Sequence, residues 1–171
     1  MAVVLCTHNL RLRQAQRQDA AFLLALLNEP DFMQNIGDRQ VRSLAQAELY
    51  IQKNFQHSYQ TYGFGLWVIE RLSDNATLGL CGLVRRDYLP QPDLGYALMK
   101  AYSGQGYISE AAVAVVAYAR DKLNLQKLCA IVAPDNWASK RILTKVGMQA
   151  AGQIQLPDSA KNVDFYRMDL S

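Results

Sequence analysis

Hydrophobic residues change their spacing several times along the chain, and each spacing predicts an element. In the segment NLRLRQ, residues 9–14, leucine alternates with arginine, which predicts a half-buried first strand. A helix is predicted from an N-cap at Asp19 until Pro30, because the apolar residues between them recur at helical spacing. A capping-box pattern at Ser43 begins a second predicted helix, which runs to about Ser58.

The rest of the chain alternates β-rich and helical segments. In chain order they are a hairpin of FGLWVIERL and TLGLCGLVRR around the polar turn 73–76, a strand in DLGYALM, a helix over 107–123, a largely apolar central strand in KLCAIVA, a helix capped by Asn136 and ended by Gly147, and two strands near 149–155 and 163–170. This order predicts a mixed α/β fold in a single domain that takes in residues 1–171.

The composition narrows the classes of function. A chain of 171 residues, 50% of them hydrophobic, suits one core, and a net charge of +3 without a dense basic block gives no sign of a nucleic-acid partner. The longest apolar run, AAVAVVAYA, is shorter than the roughly 20 residues that span a bilayer, so no membrane partner is expected. The 3 scattered cysteines suit neither a disulfide framework nor a metal site. We expect reduced thiols, no metal and a cytoplasmic location.

The segment KAYSGQGYISEAA places Gly104 and Gly106 directly before the predicted helix over 107–123. Backbone N–H groups at a helix start lack intrahelical partners and lie at the positive end of the helix dipole, so a glycine turn there can hold phosphate oxygens. The same turn also suits a plain connection between a strand and a helix. A dinucleotide fingerprint is excluded because Ser109 occupies its third glycine position, and no Walker A sequence is present.

Two segments, LGYALMKAYSGQGYISEA and PDNWASKRILTKVGM, are similar to two motifs of the GNAT N-acetyltransferases, in the form typical of the RimJ/RimL branch. The predicted order of strands and helices also resembles that domain over about residues 8–170. The resemblance implies a mostly antiparallel central sheet with two splayed strands and flanking helices. It also implies acetyl-CoA as the cosubstrate and an amine as the acceptor.

The resemblance also implies which residues bind the cosubstrate. The backbone of Ala97 and Leu98 would contact the pantetheine arm, and Asn136 would contact the cofactor while also serving as an N-cap. The pyrophosphate would lie on the amides of the glycine turn and the first helical turn, which comprise Gly104, Gln105, Gly106, Tyr107, Ile108 and Ser109.

Three positions depart from the family pattern. Ser103 stands where the family has Gln, Arg or Trp, and Ile108 stands where it has a small residue, so we expect Ile108 to tighten or shift the pyrophosphate pocket. Leu143 occupies the position of the tyrosine acid found in many members. A donor for the CoA thiolate must then come from elsewhere, and Ser139, one helical turn past Asn136, is the catalytic candidate. The alternative is that its hydroxyl bonds a carbonyl of its own helix.

No general base is evident, although Asp93, Glu70 and Glu110 are candidates, and Glu110 also suits a cap at a helix start. Near neutral pH, deprotonating a lysine costs roughly 4.6 kcal/mol, whereas an α-amino group costs about 1 to 1.4 kcal/mol. We therefore expect acetyl transfer to the N-terminal α-amine of a protein or peptide. The alternatives are a small-molecule amine acetyltransferase and a non-catalytic acyl-CoA-binding sensor. The oligomeric state, monomer or homodimer, stays open.

Overall fold

The computed structural model describes residues 2–171, and its strands form one eight-stranded sheet. The strands are β1 Val3–Cys6, β2 Leu10–Gln14, β3 Leu66–Arg71, β4 Thr77–Val84, β5 Asp93–Leu98, β6 Lys127–Val132, β7 Gln149–Gln155 and β8 Asn162–Asp169. The helices are α1 Ala20–Leu27, α2 Pro30–Asn35, α3 Leu44–Tyr50, α4 His57–Tyr62, α5 Tyr107–Asp121 and α6 Trp137–Lys145. Short 3₁₀ turns lie at Arg17–Asp19 and Lys100–Tyr102, and a π-helical segment, Ile51–Gln56, joins α3 to α4.

The sheet has the strand order β1-β2-β3-β4-β5-β6-β8-β7. Neighbouring strands are antiparallel except β5 and β6, which are parallel. A parallel pair needs a long crossover connection, and α5 provides it. The parallel pair lies in the middle of the sheet, with helices near both of its strands.

Helices cover both faces of the sheet. The side chains of each strand point alternately to one face and the other, and both faces carry apolar side chains that need covering. α5 and α6 pack on one face, in a core cluster that includes Leu12, Trp67, Leu83, Val115 and Leu143. α1, α3 and the π-helical segment pack on the opposite face, in a cluster that includes Leu23, Ile51, Phe55, Val68 and Leu80. No helix within residues 2–171 has the length and apolar character needed to cross a membrane.

The predicted elements from β2 onward are confirmed in type and order, and the mixed α/β fold with a mostly antiparallel sheet is confirmed. β1 has no counterpart in the prediction. It is an edge strand of 4 residues that pairs with β2, and such a short segment carries too little alternation to be recognised. The second predicted helical segment extends to Tyr62 instead of Ser58 and ends at Gly63, whose φ is 78°.

The predicted end of the first helix is wrong, and its predicted N-cap at Asp19 is confirmed in position only. Pro30 does not end it: α1 stops at Leu27, and the Asn28 side chain donates to the Leu24 carbonyl (2.7 Å). Pro30 instead begins α2, since the first helical position needs no N–H donor. Asp19 does precede α1, but its carboxylate caps the 3₁₀ turn by accepting from the Gln16 amide (2.7 Å) and makes no cap bond in α1.

Candidate active site

β5 and β6 separate soon after they meet, which opens a gap in the middle of the sheet. Asp93 and Cys129 form the single register pair between them, at the start of β5. β6 stays paired with β8 over its whole length, from Lys127 to Val132, while β5 stays paired with β4. We call the gap between β5 and β6 beyond this rung the notch, and the Asp93–Cys129 rung its apex.

The free edge of β5 offers backbone groups to the notch. Met99 N donates to Leu78 O (2.8 Å), and hydrogen-bonded positions alternate along an antiparallel pair, so Ala97 bonds toward its partner on β4. Tyr96 and Leu98 then direct their backbone groups to the opposite edge. The backbone of Leu98 is therefore open to the notch, whereas that of Ala97 is directed to β4; the contact of either residue with a ligand stays a prediction.

At the wide end of the notch, residues 103–109 form what we call the glycine loop, which leads into α5. Gly104 and Gly106 have φ values of 77° and 84°, a left-handed conformation that glycine adopts without strain. The first hydrogen bond of the helix runs from Glu110 N to Gly106 O (3.1 Å). No acceptor among residues 2–171 takes the N–H groups of positions 104–109. These free amides at the positive end of a long helix fit a pyrophosphate.

The two departures in the glycine loop leave its amides accessible. Ile108 is only 7% exposed and belongs to the core cluster between α5 and the sheet, so its side chain points away from the loop surface. The Ser103 hydroxyl donates to the Lys100 carbonyl (2.7 Å) and closes the preceding turn. The Ile108 side chain thus fills the core beneath the loop, and whether it tightens or shifts a pyrophosphate pocket stays a prediction.

Across the notch, the N-cap of α6 is Asn136, whose Oδ1 accepts from the Ser139 amide (3.3 Å). The N-cap role of Asn136 is thus confirmed. The Ser139 hydroxyl lies 2.6 Å from the hydroxyl of Tyr96, which also reaches the Ser139 carbonyl (3.2 Å). Tyr96 is a site residue that the sequence did not single out, since the contact joins two positions 43 residues apart.

Two of the three candidate bases are committed elsewhere. The Glu110 carboxylate accepts from the Asn9 amide (2.9 Å) and side chain (2.8 Å) and from the Thr7 hydroxyl, so it ties α5 to the β1–β2 turn. This corrects its expected role as a cap of its own helix. Glu70 forms ion pairs with Arg11 and Arg13, each at 3.0 Å, on the face that α1 covers.

Asp93 is the candidate carboxylate at the apex of the notch. It is 2% exposed, and Arg86 Nε lies 2.8 Å from Oδ2. Burial raises the pKa of Asp93 to about 6, because the loss of solvation of the charged form outweighs the attraction of Arg86. The alternation along β5 directs Asp93 to the face opposite Tyr96. The apex therefore has a carboxylate on one face and the Tyr96–Ser139 pair on the other.

Cys129 forms the other half of the apex, where a thiolate would be a nucleophile. Its Sγ donates to the Gln91 carbonyl (3.3 Å), and burial raises the pKa of the thiol to about 12. At neutral pH this side chain stays a protonated thiol. Thioester exchange onto Cys129 is therefore disfavoured, and the geometry suits direct attack on a bound thioester.

Comparison with protein families gives the notch its context. The family model described as "Acetyltransferase (GNAT) domain" matches residues 9–149. The chain belongs to the GNAT acetyltransferases. As a GNAT-family N-acetyltransferase it is an acyltransferase of the class that uses acetyl-CoA, and the free amides of the glycine loop fit that cosubstrate.

Relatives of this GNAT chain include an uncharacterized N-acetyltransferase, YoaA of Bacillus subtilis (strain 168), which is 31% identical over 156 residues, 91% of this chain and 88% of YoaA. Two solved structures share the fold of the present chain at 18% sequence identity. The RimL ribosomal L7/L12 α-N-protein acetyltransferase in complex with coenzyme A has a TM-score of 0.83 and covers 98% of this chain and 97% of its own. A chimera of the Vibrio cholerae spermidine N-acetyltransferase SpeG and hSSAT has a TM-score of 0.76 and covers 94% and 95%. One fold thus accompanies two very different acceptors.

Proposed function

We propose that this GNAT enzyme transfers the acetyl group of acetyl-CoA to the N-terminal α-amine of a protein or peptide. The observation that carries the proposal is the carboxylate at the apex of the notch. Asp93 is the candidate base there, and its pKa is about 6. When bound, the thioester supplies an activated acyl carbon. The residues of the chain then have to position it, accept a proton from the amine and stabilise the leaving sulfur.

The pKa of Asp93 favours a weakly basic acceptor. Moving a proton from an α-ammonium of pKa about 7.8 to a carboxylate of pKa about 6 is uphill by roughly 2.5 kcal/mol, whereas a lysine of pKa about 10.4 requires roughly 6 kcal/mol. That pKa already includes the ion pair with Arg86, which holds it below the value that burial alone would give. An α-amine is the primary amine of proteins that suits this carboxylate best.

The remaining roles follow from the two strand-to-helix turns. Gly104, Gln105, Gly106, Tyr107, Ile108 and Ser109 would bind the pyrophosphate through backbone amides. Leu98 would pair with the pantetheine arm along the free edge of β5. The side-chain NH₂ group of Asn136 would donate to the same arm, while its Oδ1 still accepts from the Ser139 amide and caps α6. Ser139 would donate a hydrogen bond to the thiolate as the C–S bond breaks.

The test is a CoA-release screen with matched acceptors. One peptide carries a free N-terminus and a blocked lysine, and its partner has the same sequence with a blocked N-terminus and a free lysine. Free amino acids, polyamines and aminoglycosides complete the panel. We expect release with the first peptide and little with the second. Faster release with polyamines or aminoglycosides would overturn the α-amine assignment, and tight acetyl-CoA binding without release on any amine would indicate a sensor.

A further inference from the structure

The contact between Tyr96 and Ser139 joins the two borders of the notch. Tyr96 lies on β5, beyond the rung after which β6 departs, and Ser139 lies in the first turn of α6, which follows β6. Their hydroxyl oxygens are 2.6 Å apart. The contact therefore lies on the α6 side of the notch, where a leaving sulfur would emerge if the proposed function holds.

We propose that Tyr96 is a positioning residue. Its phenol donates a hydrogen bond to Ser139 Oγ, so that the serine proton points toward the sulfur of bound CoA. This inference rests on the proposed function. It assigns a role in the reaction to a residue of β5 that does not itself touch the reacting carbon.

The two hydroxyl side chains of α6, Ser139 and Thr144, have different partners. Thr144 donates to the Lys140 carbonyl one turn earlier (3.0 Å), which is the common arrangement for serine and threonine inside a helix. Ser139 lies in the first turn of α6, so the residue four positions earlier, Asp135, precedes the helix. Within residues 2–171 the Ser139 hydroxyl contacts only Tyr96. The phenol, and not a carbonyl of α6, is thus the partner of Ser139 Oγ.

The 2.6 Å contact permits either hydroxyl to donate, and in the proposed arrangement Tyr96 is the donor. Burial raises the pKa of Tyr96, so the phenol stays protonated and has a proton to donate. The Ser139 carbonyl at 3.2 Å is a second acceptor for the same proton and holds the ring in place. If Tyr96 donates, the serine proton has no acceptor among residues 2–171, and a sulfur in the notch would provide one.

The proposed step balances without any change in the protonation of either residue. The amine nitrogen bonds to the acyl carbon, the C–S bond breaks, and the sulfur leaves with the electron pair as a thiolate. The amine attacks in its neutral form, after its ammonium proton has left the site, and the nitrogen then loses one proton to the base as the amide forms. Ser139 donates a hydrogen bond to the thiolate, and Tyr96 keeps that donor aimed. Leu143, at the position of the tyrosine acid in many family members, is 1% exposed in the core and has no hydroxyl to offer.

The test compares CoA with desulfo-CoA, the analogue without sulfur, by calorimetry at a pH above the pKa of the CoA thiol, so that CoA binds as a thiolate. Because a hydrogen bond to a charged group is at stake, we expect Tyr96→Phe to lower the affinity for CoA about 10-fold and to leave that for desulfo-CoA unchanged. Ser139→Ala should have the same effect, and the double variant should be no worse than Ser139→Ala alone.

Tyr118→Phe is the matched control, because Tyr118 also packs on the core of this sheet face, edge-on to Trp67, and its hydroxyl makes no hydrogen bond within residues 2–171. It should leave both affinities unchanged. Equal losses for CoA and desulfo-CoA in Tyr96→Phe, or additive losses in the double variant, would overturn the inference. So would a lower melting temperature with the CoA preference intact, since that result would make Tyr96 purely structural.

The binding comparison needs no acceptor, so it separates this inference from the proposed function. If wild-type protein acetylates no amine but still prefers CoA through Tyr96 and Ser139, the α-amine proposal fails and the positioning role stands. With an accepted amine, Tyr96→Phe should lower kcat about 10-fold without changing the KM for acetyl-CoA.

Discussion

The two strands that border the notch each lead into a helix, and the two turns satisfy the start of the helix in opposite ways. After β6, Asn136 supplies its own side-chain oxygen to the Ser139 amide, so α6 is capped from within. After β5, the N-cap is Gly106, which has no side chain, and the first amides of α5 have no partner within residues 2–171. The same helix physics therefore gives a closed turn on one side and an open one on the other.

This contrast shows how a chain can divide the work of one site between two similar turns. The open turn keeps unpaired donors for an anion, and the glycines let that anion approach the backbone. In the closed turn the Ser139 amide donates to the Asn136 side chain, and this bond holds Ser139 in a fixed place against Tyr96. A side chain at the N-cap is thus the difference between binding a ligand and positioning a residue.

The largest effect should come from closing the open turn. Gly106→Val puts a branched side chain at φ 84°, which strains the loop and covers its amides. Because several charge-assisted hydrogen bonds are lost together, we expect acetyl-CoA affinity to fall about 1,000-fold, or roughly 4 kcal/mol, by calorimetry.

Gly63→Val is the matched control for that substitution. Gly63 also has a positive φ, 78°, and open space around it, but it ends α4 and lies outside the glycine loop. Both variants should lose similar stability, and only Gly106→Val should lose affinity. An unchanged acetyl-CoA affinity in Gly106→Val would refute the pyrophosphate site.

The next effect concerns the apex that both bordering strands share. The pKa of Asp93 is about 6 in the folded protein and about 3.9 in an unfolded chain, so between these values the folded state holds a proton that the unfolded state lacks. Its contribution to the free energy of unfolding is then largest below about pH 4 and falls by about 3 kcal/mol as the pH rises through about 6. Denaturation at several pH values should show this decline in wild type relative to Asp93→Asn.

Other carboxylates titrate in both proteins of that comparison and cancel in the difference. A difference that stays flat across this pH range would mean that Arg86 offsets the effect of burial on Asp93. A difference that rises with pH would mean that the ion pair dominates. Either result would remove the basis for a carboxylate of raised pKa at the apex.

Opening the closed turn should have a smaller effect. Asn136→Ala removes the cap of α6 and should cost about 1 kcal/mol of stability, together with about a five-fold loss of acetyl-CoA affinity. Ser43→Ala removes the comparable cap of α3, in which Ser43 Oγ accepts from the Gln46 amide (3.1 Å). That control should lose similar stability and no affinity. If the two variants bind acetyl-CoA equally well, Asn136 is a cap and nothing more.

The smallest effect is expected at the entrance of the open turn. Ser103 is exposed, and an arginine there would place a charge beside the free amides of the glycine loop. Ser103→Arg should raise acetyl-CoA affinity about two- to five-fold, since an exposed ion pair contributes less than about 1 kcal/mol. The gain should disappear in high salt. Salt-independent tightening would point to a contact other than charge.

Much of the fold follows from local patterns that the sequence displays directly. The glycine pair, the apolar face of α5 and the Asn136 cap are each encoded within a few residues, and each is found in the structure. β1 and α2 escape prediction because they are short, and α2 begins at a proline whose two possible positions, after a helix or at its start, look alike in sequence.

The features that sequence cannot supply depend on how distant segments meet. Which backbone groups of β5 face the notch is fixed by the register with β4, so Ala97 and Leu98 exchange roles with a shift of one residue. The Tyr96–Ser139 contact depends on where α6 crosses the sheet. The raised pKa of Asp93 reflects burial among elements from several parts of the chain.

The single rung at the apex has a consequence for hydrogen exchange. The amides of Tyr96 and Leu98 face the notch without a strand beside them, so their hydrogens should exchange rapidly with solvent although they belong to a central strand. A pantetheine arm would take the place of the missing strand and slow that exchange. The exchange rates of these two amides would thus report whether the cosubstrate is bound, whichever amine the enzyme acetylates.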